Sequence, residues 1–190
     1  MKHFFAALRL LLIMTVLTGV LYPLAITGIV KALFPYQASG SMIMVDGKVK
    51  GSELVGQKFV SEFYFWNRPS AIDYNPMPSG ATNLSPTSEV LQKAVQQRRI
   101  HINRAVALSS NANIPVDMLF ASASGVDPHI SPQAARLQID HIAKARGFTP
   151  EQKTKLADMI ELFVEPPQFG ILGEHRVNVF LLNVALNQLN

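Results

Sequence analysis

From position 10 to 30 the chain reads LLLIMTVLTGVLYPLAITGIV, 21 positions without a charge and apolar on every side. At about 1.5 Å of rise per residue this run makes roughly 31 Å of helix, enough to cross a hydrocarbon core of about 30 Å. The pattern then changes. Residues 41–45 and 48–49 flank Asp46-Gly47, the dipeptide of a type I′ hairpin. Further on, Ser85-Pro86, Ser131-Pro132 and Thr149-Pro150 each set a capping hydroxyl before a proline suited to the first helical position. Thr149 with Gln152 also fits a capping box.

The periodicity after these signals predicts three helices. The first covers 86–108 and buries Leu91, Val95, Ile102 and Val106. The second covers 132–146, stops at Gly147, and turns Leu137, His141, Ile142 and Ala145 inward. The third runs from 150 to about 163, buries Leu156, Met159, Ile160 and Phe163, and is closed by Pro166-Pro167. Strands are shorter. The aromatic-rich stretch 59–65 is a strand expectation, and 176–182 starts with strand alternation before turning helical through Leu189. The predicted fold is α+β: a single N-terminal transmembrane helix followed by one compact α+β extracytoplasmic domain. Residues 67–86 carry four prolines with a glycine and three asparagines, and form a long loop between elements.

Charge sharpens the membrane reading. Lys2 and Arg9 precede the run, whereas Lys31 alone follows it closely. The positive-inside rule therefore places residues 1–9 in the cytoplasm, 10–30 in the membrane and 31–190 in the periplasm. A cleaved signal peptide is the rival, but its apolar core usually spans about 7–15 residues. The nearest small-residue site, Gln37-Ala38-Ser39-Gly40, also lies well beyond the run. Pro23 is tolerated in a membrane helix and able to kink it, and Phe34 and Tyr36 suit the far interface. The net charge of +4 comes mostly from Lys2, Arg9 and Lys31. The rest of the chain is close to neutral, which argues against nucleic acid as a partner. Lys93, Arg98, Arg99, His101 and Arg104 cluster on one predicted helix, as a solvated face would. The chain has no cysteine, which is compatible with a periplasmic domain.

Candidate chemistry is sparse. No GxxxxGK[ST] phosphate loop and no HExxH zinc motif occurs. Ser124, Asp127 and His129, with Ser122 as a second nucleophile candidate, are the residues from which a serine-hydrolase triad would have to be built. No GxSxG elbow supports it, and Asp127 and His129 equally suit the turn before the helix at Ser131. The small polar loop 79–84 is able to turn backbone N–H groups toward an anion.

Blocks along the chain carry a family resemblance. Gly19-Val20-Leu21-Tyr22-Pro23 leads to Leu33-Phe34-Pro35-Tyr36-Gln37-Ala38-Ser39-Gly40-Ser41. Asn67-Arg68-Pro69-Ser70-Ala71, Tyr74-Asn75-Pro76 and Ser79-Gly80-Ala81-Thr82-Asn83-Leu84 follow. Ser124-Gly125-Val126-Asp127-Pro128-His129-Ile130-Ser131-Pro132 and Pro167-Gln168-Phe169-Gly170-Ile171-Leu172-Gly173 complete the set with Arg176-Val177-Asn178-Val179. In this order they resemble the C subunit of the Kdp-type potassium-transporting ATPase over nearly the whole chain. The resemblance implies a non-enzymatic accessory subunit of a bacterial inner-membrane potassium uptake complex. Its implied partners are a channel-like potassium-translocating subunit and a P-type ATPase subunit. It also implies a catalytic-chaperone role that raises ATP affinity, with ATP as an implied ligand.

Two departures stand out. Ala81 occupies a position where the family usually has glycine, and Glu174-His175 stands where Glu-Pro or Gln-Pro is common. If nucleotide binds, the expected contacts are Ser79, Gly80 and Asn83 with Gln133 and Gln138 near the second helix start. A periplasmic domain cannot meet cytoplasmic ATP, so any effect on ATP affinity would be relayed through the membrane subunits. Partner contacts are expected at Thr15, Thr18, Gly19, Thr27 and Gly28 of the anchor, and at Arg68, Asp127 and His129 of the domain.

Overall fold

The computed structural model describes residues 1–106 and 113–189. The end of the helix expected over 86–108 therefore lies outside the described residues. The chain divides into two compact units, Met1–Ser52 and Glu53–Asn190.

The first unit is dominated by one continuous helix, Lys2–Leu33, longer than the charge-free run that predicts it. Its 32 residues rise roughly 48 Å. It consists of α1 (Lys2–Val16), a π segment (Leu17–Leu21) and α2 (Tyr22–Leu33). The π segment has a local cause. Pro23 has no N–H to donate, and its ring crowds the carbonyl of Gly19 four residues back. The backbone widens there, and the Tyr22 N–H reaches five residues back to the Leu17 carbonyl. Phe34 leaves the helix because it precedes Pro35, which disfavours helical geometry in the residue before it. No residue of the long helix is buried. A short turn, α3 (Pro35–Ala38), leads to β1 (Met42–Val45) and β2 (Lys48–Ser52). These two strands pair antiparallel. Asp46 and Gly47 both take positive φ, 52° and 71°, as the hairpin signal predicts.

The second unit holds α4 (Glu89–Val106), α5 (Val116–Leu119), β3 (His129–Ile130), α6 (Pro132–Leu137), α7 (Ile139–Arg146), α8 (Pro150–Leu162), β4 (Val164–Glu165), β5 (Arg176–Asn178) and α9 (Val179–Leu186). Its sheet is antiparallel in the order β3-β5-β4. The helices bury Ile142, Leu156, Ile160, Leu182 and Leu186 together with Val177 of the central strand.

The capping signals at Ser131 and Thr149 form as predicted, the latter as a full capping box. Gly147 ends α7 in a left-handed conformation, φ 68°. Three expectations need correction. The first helix begins at Glu89 rather than Pro86, because Ser85 closes a turn first by accepting the Ser88 N–H at 2.9 Å. The second helix is broken at Gln138, whose N–H bonds three residues back to Ala135 at 3.1 Å. The stretch 59–65 forms no strand.

The last two departures share a cause. At Phe65 and Trp66 the backbone is paired by side chains instead of by another strand. Asn183 accepts the Phe65 N–H at 2.8 Å and donates to its carbonyl at 3.0 Å. Gln138 accepts the Trp66 N–H at 2.7 Å and donates to its carbonyl at 3.2 Å. Two buried amides thus take both edges of this extended segment, satisfying backbone groups that would be costly to bury alone.

Candidate functional site

The loop 121–130 organises the surface of the second unit. Gly56 donates its N–H to the Val126 carbonyl at 2.7 Å, and a Cβ on Gly56 would meet the Asp127 carbonyl oxygen at 2.5 Å. Gly80 donates to the Ser124 carbonyl at 3.0 Å and Val179 to the Pro128 carbonyl at 2.9 Å. Gly125 takes φ 72° and lies so close to Ile72 and the Gly80 carbonyl that no Cβ fits. The long loop after Asn67 is itself tied down. The Tyr74 hydroxyl donates to the Arg68 carbonyl, and burial, reinforced by Asp73 and opposed by Arg98, pushes that phenol up to about 12.

From this frame Arg68, Asp127 and His129 converge. Arg68 bonds Asp127 at 3.0 Å. The other Asp127 oxygen accepts the His129 N–H at 3.0 Å and faces its Nδ1 at 3.5 Å. Burial works to raise the Asp127 pKa, but the His129 hydrogen bonds and the Arg68 charge outweigh it and hold the carboxyl below its ordinary range. The three side chains line an open cleft of about 1070 Å³, shared with Asp117, Gln133, Arg136, His175 and Arg176. Asp117 accepts both the N–H and the hydroxyl of Ser131, at 2.6 and 3.2 Å, which fixes the start of α6 at the cleft wall.

Charge in the cleft is compensated pair by pair. Arg136 forms a two-pronged bond to Glu161 at 2.7 and 2.8 Å, and Arg176 bonds Glu165 at 2.8 Å. With Arg68 on Asp127, every arginine of the cleft already has a carboxylate. Such a surface suits a polar protein face with matched charges better than a free polyanion.

The sequence-predicted residues thus separate into groups. Arg68, Asp127, His129 and Gln133 share the cleft. Ser79 and Asn83 are exposed and Gly80 half-buried, on a loop packed against the Ser124-Gly125 turn. Gln138 is 1% exposed, with its amide bonded to Trp66 and Ala134. Thr15, Gly19, Thr27 and Gly28 lie on the uncovered helix, and nothing stands within 4 Å of a Cβ on either glycine.

The hydrolase arrangement does not assemble. Ser124 is exposed and its hydroxyl accepts the Val126 N–H at 3.2 Å, closing a turn. Ser122 does the same for Gly125 at 3.0 Å. His129 faces Asp127 without a hydrogen bond to either serine. The basic cluster on α4 is likewise only partly a solvated face. Arg98 donates to the Leu119 carbonyl at 2.7 Å, and the His101 ring lies 5.2 Å from Trp66. His141 stacks on Trp66 at 4.6 Å. Sequence reasoning missed the amide clamp on Phe65-Trp66, whose only sequence signal is a polar residue set inside an apolar helix, as Asn183 is.

One long uncovered apolar helix, long enough to cross a membrane, and one α+β domain with a charge-matched cleft fit a membrane-anchored subunit. Residues 4–188 match the family model described as KdpC, the K+-transporting ATPase, c chain, and the chain belongs to that family. Among similar proteins, the potassium-transporting ATPase KdpC subunit of Leptospira interrogans is 45% identical over 95% of this chain and 91% of its own. That of Polaromonas naphthalenivorans is 47% identical over 96% and 93%. That of Methylococcus capsulatus is 44% identical over 99% and 98%.

Proposed function

We propose that this chain is a non-catalytic, single-pass accessory subunit of an ATP-driven potassium uptake complex in the bacterial inner membrane. Residues 1–9 lie in the cytoplasm and 31–190 in the periplasm. The subunit assembles and stabilises the complex, and supports ATP use by the P-type ATPase subunit through the membrane partners rather than by holding nucleotide. The single observation that carries the reading is the Lys2–Leu33 helix, apolar and without one buried residue, in a chain of this family. Inside a membrane that surface is covered by lipid and by the helices of partner subunits.

Gly19, Gly28, Thr15, Thr18 and Thr27 form the anchor's contact with the partner helices, where small side chains let backbones approach. In the domain, Arg68, Asp127 and His129 belong to the surface that meets the channel-like subunit. ATP is not a ligand of the domain: its cleft arginines are paired and Gln138 is committed to Trp66.

Topology is tested with single cysteines at Ser52 and Gln152 in this cysteine-free chain. Both should react with a membrane-impermeant thiol reagent in spheroplasts, and labelling only after lysis would overturn the orientation. Gly19→Leu with Gly28→Leu should reduce co-purification of the other subunits. Calorimetry of the full chain in detergent addresses nucleotide. An ATP dissociation constant below about 100 μM, roughly −5.5 kcal/mol, would refute the nucleotide-free domain.

A further inference from the structure

Among the described residues the buried apolar side chains begin at Phe65, so the first unit, Met1–Ser52, has no apolar core of its own. It nevertheless carries the two-stranded β1–β2 hairpin, and such a hairpin is marginal at best when alone in water. The register sets Met44 directly opposite Val49, and Met42 lies two positions before Met44, on the same face. Met44 is 63% exposed and Val49 56%, and Met42 is exposed beside them. Ile43 and Val45, on the other face, are half-buried. Lys48 and Lys50 bracket Val49 and are exposed. The lysine ion pairs of the described residues are those of Lys58, Lys93, Lys153 and Lys155, which leaves Lys48 and Lys50 without a carboxylate.

The hairpin also stands close to the end of the long helix. That helix stops at Leu33, and residues 34–41 alone separate it from β1. Half of this connection is coiled as α3, so it spans at most about 20 Å. It is tied together by its own bonds. Ser41 donates its N–H to the Tyr36 carbonyl at 3.1 Å, and the Ser52 hydroxyl, at the far end of β2, donates to the Gly40 carbonyl at 2.8 Å. Both ends of the hairpin are thus fastened to the turn that leaves the helix. Phe34 and Tyr36 are exposed at that turn, aromatic residues of the kind that settle at headgroup level.

We propose that the β1–β2 hairpin lies on the bilayer where the anchor leaves it. Met42, Met44 and Val49 sink among the lipids, and Lys48 and Lys50 meet the phosphates of anionic phospholipids. This rests on the reading of Lys2–Leu33 as a membrane span. An apolar face flanked by lysines is the pattern that binds an anionic lipid surface, and lysine stems are long enough to keep their charge at the phosphates while the face is buried. Asp46 is the one carboxylate of residues 42–52, and Lys31 adds positive charge at the helix exit. A second copy of the chain fits less well. Its two mainly apolar clefts, one beside Trp66 and Met118 and one beside Leu91 and Phe120, have no carboxylate in their linings to receive the lysines, and the first carries Arg98.

The test uses the intact complex in its membrane, with benzoylphenylalanine in place of Met44. Irradiation should join the chain to phospholipid. An adduct with another subunit, an adduct with a second copy of this chain, or no adduct would each overturn the proposal. A second arm uses the purified full chain in vesicles of phosphatidylcholine with phosphatidylglycerol. A fluorophore on Met44→Cys should be quenched by nitroxide lipids at least about threefold more than one on Asp158→Cys, an exposed position of α8. Lys48→Gln with Lys50→Gln should lower the quenching at Met44→Cys at least about twofold, and so should vesicles of phosphatidylcholine alone. Equal quenching at the two positions, or quenching indifferent to the lysines and to lipid charge, would also overturn it. Carbonate extraction separates the two levels. If the parent chain is released, the membrane-span reading fails. If it stays in the membrane while position 44 meets no lipid, only the hairpin proposal fails.

Discussion

The helices Lys2–Leu33 and Val179–Leu186 are both strongly apolar, yet they end in opposite surroundings. The first has no buried residue, whereas the second buries Val179, Phe180, Leu182, Asn183 and Leu186. Length is the first difference. Eight residues rise about 12 Å and cannot cross a bilayer core, whereas 32 residues can. Polar satisfaction is the second. In the long helix the Thr18 hydroxyl bonds the Met14 carbonyl at 2.7 Å, one turn away. In α9 the Asn183 amide bonds Phe65, 118 residues away in sequence. One helix is complete within itself and needs only an apolar solvent. The other is complete only when the rest of the domain closes around it.

The strongest way to break this comparison is to remove the long-range amides. Asn183→Ala with Gln138→Ala leaves four backbone groups of Phe65 and Trp66 without partners, each costing about 1–3 kcal/mol when buried. A domain with only about 5–15 kcal/mol to lose should melt far earlier by near-ultraviolet circular dichroism. The chain should still resist carbonate extraction from membranes. A double variant that melts like the parent would show that the clamp is incidental.

The converse change targets the anchor. Leu24→Arg opposes insertion by about 2.5–3.5 kcal/mol near the helix centre. The chain should become extractable by carbonate, while the domain keeps its melting temperature. Coupled loss of both would mean that the two units depend on each other.

Glycines sharpen the contrast at smaller scale. Gly56→Ala places a Cβ 2.5 Å from the Asp127 carbonyl oxygen, and relief of that clash should cost about 1–3 kcal/mol in the domain. Gly19→Ala meets nothing within 4 Å and should leave the isolated chain as stable as before. Thermal melts of the two variants side by side decide this.

The smallest expected effect depends on pH. Burial pushes the His141 imidazole down from its ordinary value of 6.5, against the opposing influence of Glu62 and the Tyr64 backbone. The folded domain therefore resists taking up the proton that the unfolded chain accepts. Domain stability should be full above about pH 6.5 and decline as pH falls below it. The decline should flatten in His141→Gln, and the anchor should show no such dependence. A pH series of melting temperatures that is identical in parent and variant would exclude His141 as the source.

The two units also differ in how far they were legible. The long helix, the Asp46-Gly47 hairpin, the Ser131 and Thr149 caps and the stop at Gly147 are all local signals. Each depends on groups within a few residues of one another or on a single backbone preference, so the order of residues carries it in full. The family could be identified from the same linear blocks. The cleft was half visible: Arg68, Asp127 and His129 were singled out within family blocks and Gln133 by its place near a helix start, but not as neighbours. The Gln138 amide looked available for a ligand because it lies near a helix start. Its partner Trp66 lies 72 residues away, and only folding brings that unpaired backbone to it. The same holds for the strand expected over 59–65. The aromatic residues suggested a paired strand there, but which groups would satisfy the backbone was settled elsewhere in the chain. Residue order alone therefore determined the anchor, the turns, the caps and the lineage. The tertiary structure alone decided which polar groups meet inside the domain, because hydrogen-bond partners more than a few turns apart are chosen by packing and not by sequence neighbourhood.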